Sequence, residues 1–256
     1  MHKHKFKGFT LAEVLITIGI IGVVAAMTLP TLIHEQRNKS LEVAFKKSYT
    51  HISAAFNQTI AEEVPVFTVS IKEDGTHPEV DYNSPFAQSM YKKFRKLKKI
   101  GIKEKGTYNA SAKNYTKQKT MQVPQCSQYM SGAEAFITPD GSIISIMQNC
   151  GALWITTDTN GLIKGPNALG HDIFIFRTGR TENRLLPAYT ESEVLLDDTG
   201  HTVTENGKPV YNNTEETKDK CSLTSASTIN GASCGSFAIQ DVCPYDETKT
   251  YWECLP

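Results

Sequence analysis

The chain has 256 residues, in which 27 Lys and Arg are balanced by 27 Asp and Glu. That neutrality excludes a protein held on nucleic acid by bulk charge, and a hydrophobic share of 39% excludes a chain too polar to bury a core. The length suffices for one anchoring helix and a single elaborated globular head.

Lys3, Lys5 and Lys7, with His2 and His4, precede an apolar run from Phe9 to Ile33 in which Glu13 is the sole formal charge. About 20 apolar residues are enough to cross the hydrocarbon core. The basic flank predicts a cytoplasmic N-terminus and an exported C-terminal bulk. A secretory signal would have a shorter apolar region ended by a small-residue cleavage site, whereas here the run continues past Ala25-Ala26-Met27. A plain anchor leaves Glu13 unexplained, since a charge at the centre of a membrane helix costs about 2.5–3.5 kcal/mol on insertion scales. A chain cut after Gly8 that keeps its whole apolar helix accounts for both the length and the abrupt Gly8-Phe9 junction.

Gly8-Phe9-Thr10-Leu11-Ala12-Glu13, with Gly22 and Pro30 further along, closely resembles the type IV prepilin signature shared by pilins and type II secretion pseudopilins. The resemblance covers roughly the first fifth of the chain. It implies cleavage between Gly8 and Phe9 by a prepilin peptidase, N-methylation of Phe9, and Glu13 as the assembly glutamate. It also implies copies of the same chain, other pilin-like subunits and an inner-membrane assembly platform as partners. Physical chemistry supports the transfer: an unpaired carboxylate in an apolar filament core is costly. The free amine at Phe9 of a neighbouring subunit is a suitable partner, and such a pair would set the axial register between subunits. Gly19 and Gly22 permit close backbone approach. Pro30 removes a helix hydrogen bond and predicts a kink or local unwinding.

Four segments follow: a leader over 1–8, a transmembrane or filament-core helix over 9–33, an amphipathic continuation over 34–63, and an exported head over 64–256. In the continuation, Leu41, Val43, Ala44, Phe45, Ser48, Ile52, Ala55, Phe56 and Ile60 recur at three- and four-residue steps. A boundary falls near Val64-Pro65, and turn signals run on to Pro85, predicting a segment that wraps the surface. Pro85 to about Lys99 predicts a second helix, with Phe86, Met90, Phe94 and Leu97 on one face. Lys92, Lys93, Arg95, Lys96, Lys98, Lys99, Lys103 and Lys105 form a basic cluster that reads as a solvated face before a nucleic-acid site.

Beyond Cys126 the period changes to that of strands. Ala135 to Thr138 and Ile143 to Met147 flank a Pro139-Asp140-Gly141-Ser142 turn and predict a hairpin. Leu153 to Thr157 and Asp172 to Arg177 predict two further strands. An antiparallel sheet packed on the amphipathic helix buries these faces, so the expected class is α+β. The pilin-like resemblance implies the same architecture, and from Glu191 onward a loop-heavy region is expected.

Cys126, Cys150, Cys221, Cys234, Cys243 and Cys254 are even in number and on the predicted exported side, which favours disulfides. Six cysteines allow 15 pairings; the preferred one joins Cys126 to Cys150 and leaves the other four to bridge among themselves. Between two predicted strands, Asp158, Asn160 and Asp172 are candidate calcium ligands, with side-chain oxygens at alternate positions as at the start of a calcium loop. The EF-hand pattern is incomplete and Lys164 intrudes. The favoured alternative is an Asn-Gly turn in which Asp158 and Asn167 accept from backbone donors.

His51, His77, His171 and His201 are scattered, and the chain has no GxSxG, HExxH or phosphate loop, so an enzymatic head is the less favoured class. The reading is a structural subunit of a type II secretion pseudopilus. The alternatives are a type IV pilin for adhesion, motility or DNA uptake, and a membrane-tethered binding module or enzyme that borrows the processing signal. In each case the chain enters the inner membrane with its head exported, and in the first two it passes to a periplasmic or cell-surface filament.

Overall fold

The computed structural model describes residues 10–66, 84–101, 111–121, 134–149, 152–161, 163–178, 184–188, 204–205, 208–209 and 221–256. The chain divides into two compact units, Met1–Ser40 and Leu41–Pro256.

Helix α1 spans Leu11–Ala61, 51 residues, and continues through Pro30. The local unwinding expected there does not occur: proline forfeits one backbone hydrogen bond, and the turns on either side retain theirs. Within the first unit Leu15, Ile16, Ile20, Ile21, Val23, Met27 and Ile33 are each more than half exposed. The hydroxyls of Thr17 and Thr28 donate to the carbonyls of Val14 and Val24, at 2.9 and 3.0 Å. These polar side chains are therefore satisfied by their own helix and leave the surface apolar.

The second unit is the α+β head. Its part of α1 buries Leu41, Phe45, Ile52, Ala55 and Phe56, the stripe that the three- and four-residue spacing predicts. Helix α2 spans Pro85–Lys93; Ser84 caps it by accepting from Ala87 N at 3.2 Å, and Pro85 begins it. The expectation that α2 reaches Lys99 is corrected. Phe94 is extended and Lys96 takes φ +55°, so the chain turns out of the helix. Lys98–Lys99 then forms strand β1, pairing with Ile137 and Phe136. The sheet edge outweighs helix propensity at this point. Phe86 and Met90 are fully buried as expected, while Phe94 and Leu97 pack half-buried against the core.

Strands β2 (Ala135–Ile137), β3 (Ile143–Asn149), β4 (Ala152–Asp158), β5 (Ile173–Thr178) and β6 (Leu185–Pro187) continue the sheet. Among the described residues it has six strands in chain order, every neighbouring pair antiparallel. The predicted hairpin is present: Thr138 N donates to Ser142 O at 2.9 Å and closes the turn between β2 and β3. A separate ribbon pairs β7 (Thr204–Glu205) with β8 (Lys208–Pro209). Helix α3 (Gly235–Gln240) and a 3-10 turn at Trp252–Cys254 complete the described elements.

Both faces of the sheet are covered. Ile144, Ile146, Leu153, Ile155, Phe174 and Phe176 face α1 and α2, with Phe45, Phe56, Phe86 and Met90 among the partners. Ile143, Met147, Trp154, Ile173 and Ile175 form a second core with Ile100, Ala112, Met121, Leu169 and Ala232. This explains why Ile173-Phe174-Ile175-Phe176 lacks the polar alternation of a one-sided sheet. In the C-terminal region Cys221 bonds Cys234 and Cys243 bonds Cys254, as the grouping of the last four cysteines anticipates. The Cys126–Cys150 pair lies outside the described residues, as do Lys103, Lys105 and most of the expected wrapping segment.

Candidate functional site

Gly8 and Phe9, the two residues of the expected processing site, lie outside the described residues. The structure begins where their sequence meets α1, and there Thr10 and Glu13 are joined. Thr10 N and Thr10 Oγ1 both donate to Glu13 Oε2, each at 2.8 Å, and Glu13 N donates to Thr10 Oγ1 at 3.2 Å. Val14 N donates to Thr10 O at 3.2 Å, the first bond of the helical ladder. Thr10 is thus the N-cap and Glu13 the third helical residue of a reciprocal capping box.

This contact is a second role for Glu13 that the sequence reading did not include, although Thr-x-x-Glu is the ordinary signal for it. The box satisfies donors that would otherwise stand bare at the start of an apolar helix. It also places a negative charge at the positive end of the helix dipole. Both bonds to the carboxylate come from Thr10 and end on Oε2, so Oε1 accepts neither of them. A lone pair is left for a donor outside the subunit. Gly22 lies on the same exposed helix, with nothing within 4 Å of where its Cβ would stand.

In the head, the β4–β5 loop brings Asp158 and Asp172 together with both side chains fully buried. Asp158 Oδ1 accepts from Asn160 N at 3.0 Å and from Gly161 N at 2.7 Å. Asp172 Oδ2 accepts from Asn167 N at 2.8 Å, and its Oδ1 from Ala168 N at 2.7 Å. The Asn-Gly turn is therefore present, but Asp172, and not Asn167, satisfies the donors at its far end. Burial, and then the charge of Asp158, hold the Asp172 carboxyl well above the ordinary carboxylate range. Gly161 takes φ +86°, and a Cβ there would stand 2.1 Å from Gly141 O, so the tips of this loop and of the β2–β3 turn touch.

The donor set is all oxygen, as calcium requires. Asn160 Oδ1, Asn167 Oδ1 and Thr159 Oγ1 are buried in the same loop without hydrogen-bond partners. His171 belongs to a different network, its Nε2 lying 2.9 Å from Tyr115 O. Among the described residues no three His, Cys, Asp or Glu side chains gather as a metal cluster.

The basic cluster does not offer stacking rings: Tyr91 is buried and Phe94 half-buried. Lys93 pairs with Glu62 and Lys99 with Glu134, so part of its charge is spent within the head.

Residues 3–29 match a family model described as the prokaryotic N-terminal methylation motif. The chain carries a prepilin-type N-terminus. No curated protein and no solved structure matches it. The matched prepilin-type segment contains Thr10, Glu13 and Gly22 and ends one residue before Pro30. Among the described residues α1 is also the one helix long and apolar enough to cross a membrane, and its apolar window is not buried inside the subunit. Together the prepilin-type motif and this helix fit a membrane-anchored, pilin-like subunit.

Proposed function

We propose that the chain is a structural subunit of a type II secretion pseudopilus, cut between Gly8 and Phe9, N-methylated at Phe9 and assembled through α1. One observation carries this reading: a methylation motif leads into a helix whose apolar surface the subunit leaves uncovered. In the bilayer lipid covers that surface; in a filament neighbouring helices do. Glu13 then offers its free oxygen to the amine of a neighbouring Phe9, and Gly22 permits the helices to approach. The prepilin peptidase and the inner-membrane assembly platform are the processing partners. The head lies on the exported side.

Coexpression with a prepilin peptidase tests the processing. The intact mass should fall by residues 1–8 and rise by one methyl group, and a chain that keeps its leader overturns the assignment. Electron microscopy of sheared cells tests assembly; absence of the processed chain from any filament would favour a tethered binding module. A type IV pilin is the alternative filament. A gene neighbourhood with a secretin and secretion components supports the pseudopilus, and one with a retraction ATPase supports the pilus.

Calcium at the β4–β5 loop is the second part of the proposal. Asp158, Asp172 and Asn160 would hold it, supported by the buried, unpartnered amide oxygens beside two carboxylates. A bound cation would neutralise the carboxylate pair and tie the two ends of the loop. Melting the full chain in detergent with calcium and with chelator checks this, because a ligand specific to the folded state raises its stability. An unchanged Tm at millimolar calcium removes the idea.

A further inference from the structure

The last fourteen residues contain little regular structure, yet they occupy the junction between α1 and the sheet. Tyr251 is fully buried and Trp252 and Leu255 nearly so. The Trp252 ring lies 5.4 Å from Phe45 on α1 and 6.2 Å from Phe174 on β5. Phe45 and Phe174 are themselves 4.4 Å apart, so the three rings form one cluster. Next to it, the Tyr251 hydroxyl donates to Gly170 O, and Lys117 Nζ donates to Pro256 O.

The segment's backbone–backbone hydrogen bonds run from Cys243 N to Lys249 O at 3.2 Å, Lys249 N to Asp246 O at 3.0 Å and Cys254 N to Tyr251 O at 3.3 Å. Side chains add bonds from the Tyr245 hydroxyl to Cys254 O, from Thr248 to Asp246 Oδ1, from Thr250 N to Glu253 Oε2 and from Glu253 N to Thr250 Oγ1. Its ends are joined by the Cys243–Cys254 disulfide. Closing a loop costs conformational entropy even where contacts favour it, and a cross-link removes part of that cost from the unfolded ensemble. Cys254 is half-buried and Cys243 buried.

We infer that residues 243–256 are a redox-set strap, in which closure of Cys243–Cys254 seats Trp252 against Phe45 and fixes the first turns of α1 in the head. The closing step is thiol–disulfide exchange. The Cys243 and Cys254 thiols lose two protons and two electrons and form one S–S bond, while a disulfide-bearing oxidant of the exported compartment is reduced to two thiols. Docking of α1 is then completed on the oxidising side of the membrane. The strap acts at Phe45; further along the helix Phe56 packs on Phe86 of α2, at 5.4 Å, without it.

Hydrogen exchange on the full chain in detergent micelles tests this without reference to filaments, so failure here is distinct from failure of the pseudopilus reading. Opening the strap with the double variant Cys243→Ser, Cys254→Ser should speed exchange of amides 41–48 by roughly tenfold or more and leave β3, β4 and β5 protected. Trp252→Ala, with both disulfides intact, should reproduce that pattern, and Cys221→Ser, Cys234→Ser should not. Unchanged protection of 41–48 in the strap variants overturns the inference. So does equal loss across α1 and the sheet in Trp252→Ala, which would make the segment a general staple.

Discussion

Thr10 and Glu13 hold each other at the start of α1: both Thr10 donors reach Glu13 Oε2 at 2.8 Å, and the Glu13 amide returns to the Thr10 hydroxyl at 3.2 Å. The carboxylate therefore has a structural task before any second subunit arrives. The two tasks separate by substitution. Thr10→Ala removes the hydroxyl and should loosen the first helical turn by about 1 kcal/mol, read as faster exchange of the amides of residues 11–14 in micelles. Glu13→Gln keeps an acceptor for Thr10 N but no charge, so it should leave that exchange nearly unchanged while lowering filament yield. Equal filament yield from Glu13→Gln and the parent would leave the carboxylate only its cap.

Among the described residues nothing lies within 4 Å of a Cβ built at Gly22, so the filament proposal assigns its packing role to contacts between subunits. Gly22→Ala should leave helix content by circular dichroism unchanged or slightly raised, since alanine is favoured over glycine by about 1 kcal/mol in a helix. Filament yield should fall because the added methyl separates neighbouring backbones. Normal yield would remove the close-approach role.

Asp140 ties the β2–β3 turn to α1. Its carboxylate lies 3.1 Å from Lys47 Nζ and accepts from the hydroxyls of Thr138 and Ser142. Burial pushes its pKa up, but these bonds together outweigh burial and bring it down to about 2 from an ordinary 3.8. A depressed folded pKa means stability that is complete above the unfolded value and lost as pH falls through the folded one. The head should therefore lose denaturant resistance between about pH 4 and pH 2. Asp140→Asn should flatten that part of the profile; an unaltered acid limb would show that other carboxylates set it.

Tyr91 replaces a missing strand. Strand β2 ends its pairing at Ala135 opposite Ser145, so the next amide on β3 has no ladder partner there. Ile146 N donates instead to the Tyr91 hydroxyl at 2.7 Å, and that hydroxyl lies 3.3 Å from the Glu134 and Ile146 carbonyls. Tyr91→Phe keeps the ring against Phe136 and strands a buried donor, so it should cost about 1–3 kcal/mol. Urea denaturation of the full chain in detergent measures this; a cost near zero would place a water at Ile146 N.

Much of the head was legible in its apolar spacing. Phe45, Ile52 and Phe56 fall on one face because helices repeat every 3.6 residues, and the Pro139-Asp140-Gly141 turn separates two runs of strand residues. The extent of α2 was not legible. Phe94 and Leu97 fit a helical stripe, and only the free edge of β2 draws Lys98–Lys99 into a strand. The edge strand β6 of the six-stranded sheet was missed because Leu185-Leu186-Pro187 is too short to show a period. At the candidate loop, Asp158 and the Asn-Gly turn could be read from neighbouring residues. The burial of Asp172 beside Asp158 depends on how β4 and β5 meet.

The sequence by itself determined the N-terminal pattern: a basic flank, the Gly8-Phe9 junction, a carboxylate at Glu13 and an apolar run long enough for a bilayer. All of that is local, set by residue order and by the solvent each side chain prefers. Tertiary structure alone decided which cysteines among the last four are joined, which carboxylates share a buried loop, and that Trp252 packs on the touching rings of Phe45 and Phe174. Those contacts join residues up to about two hundred positions apart. Their energy comes from packing and desolvation, which no short window of sequence contains.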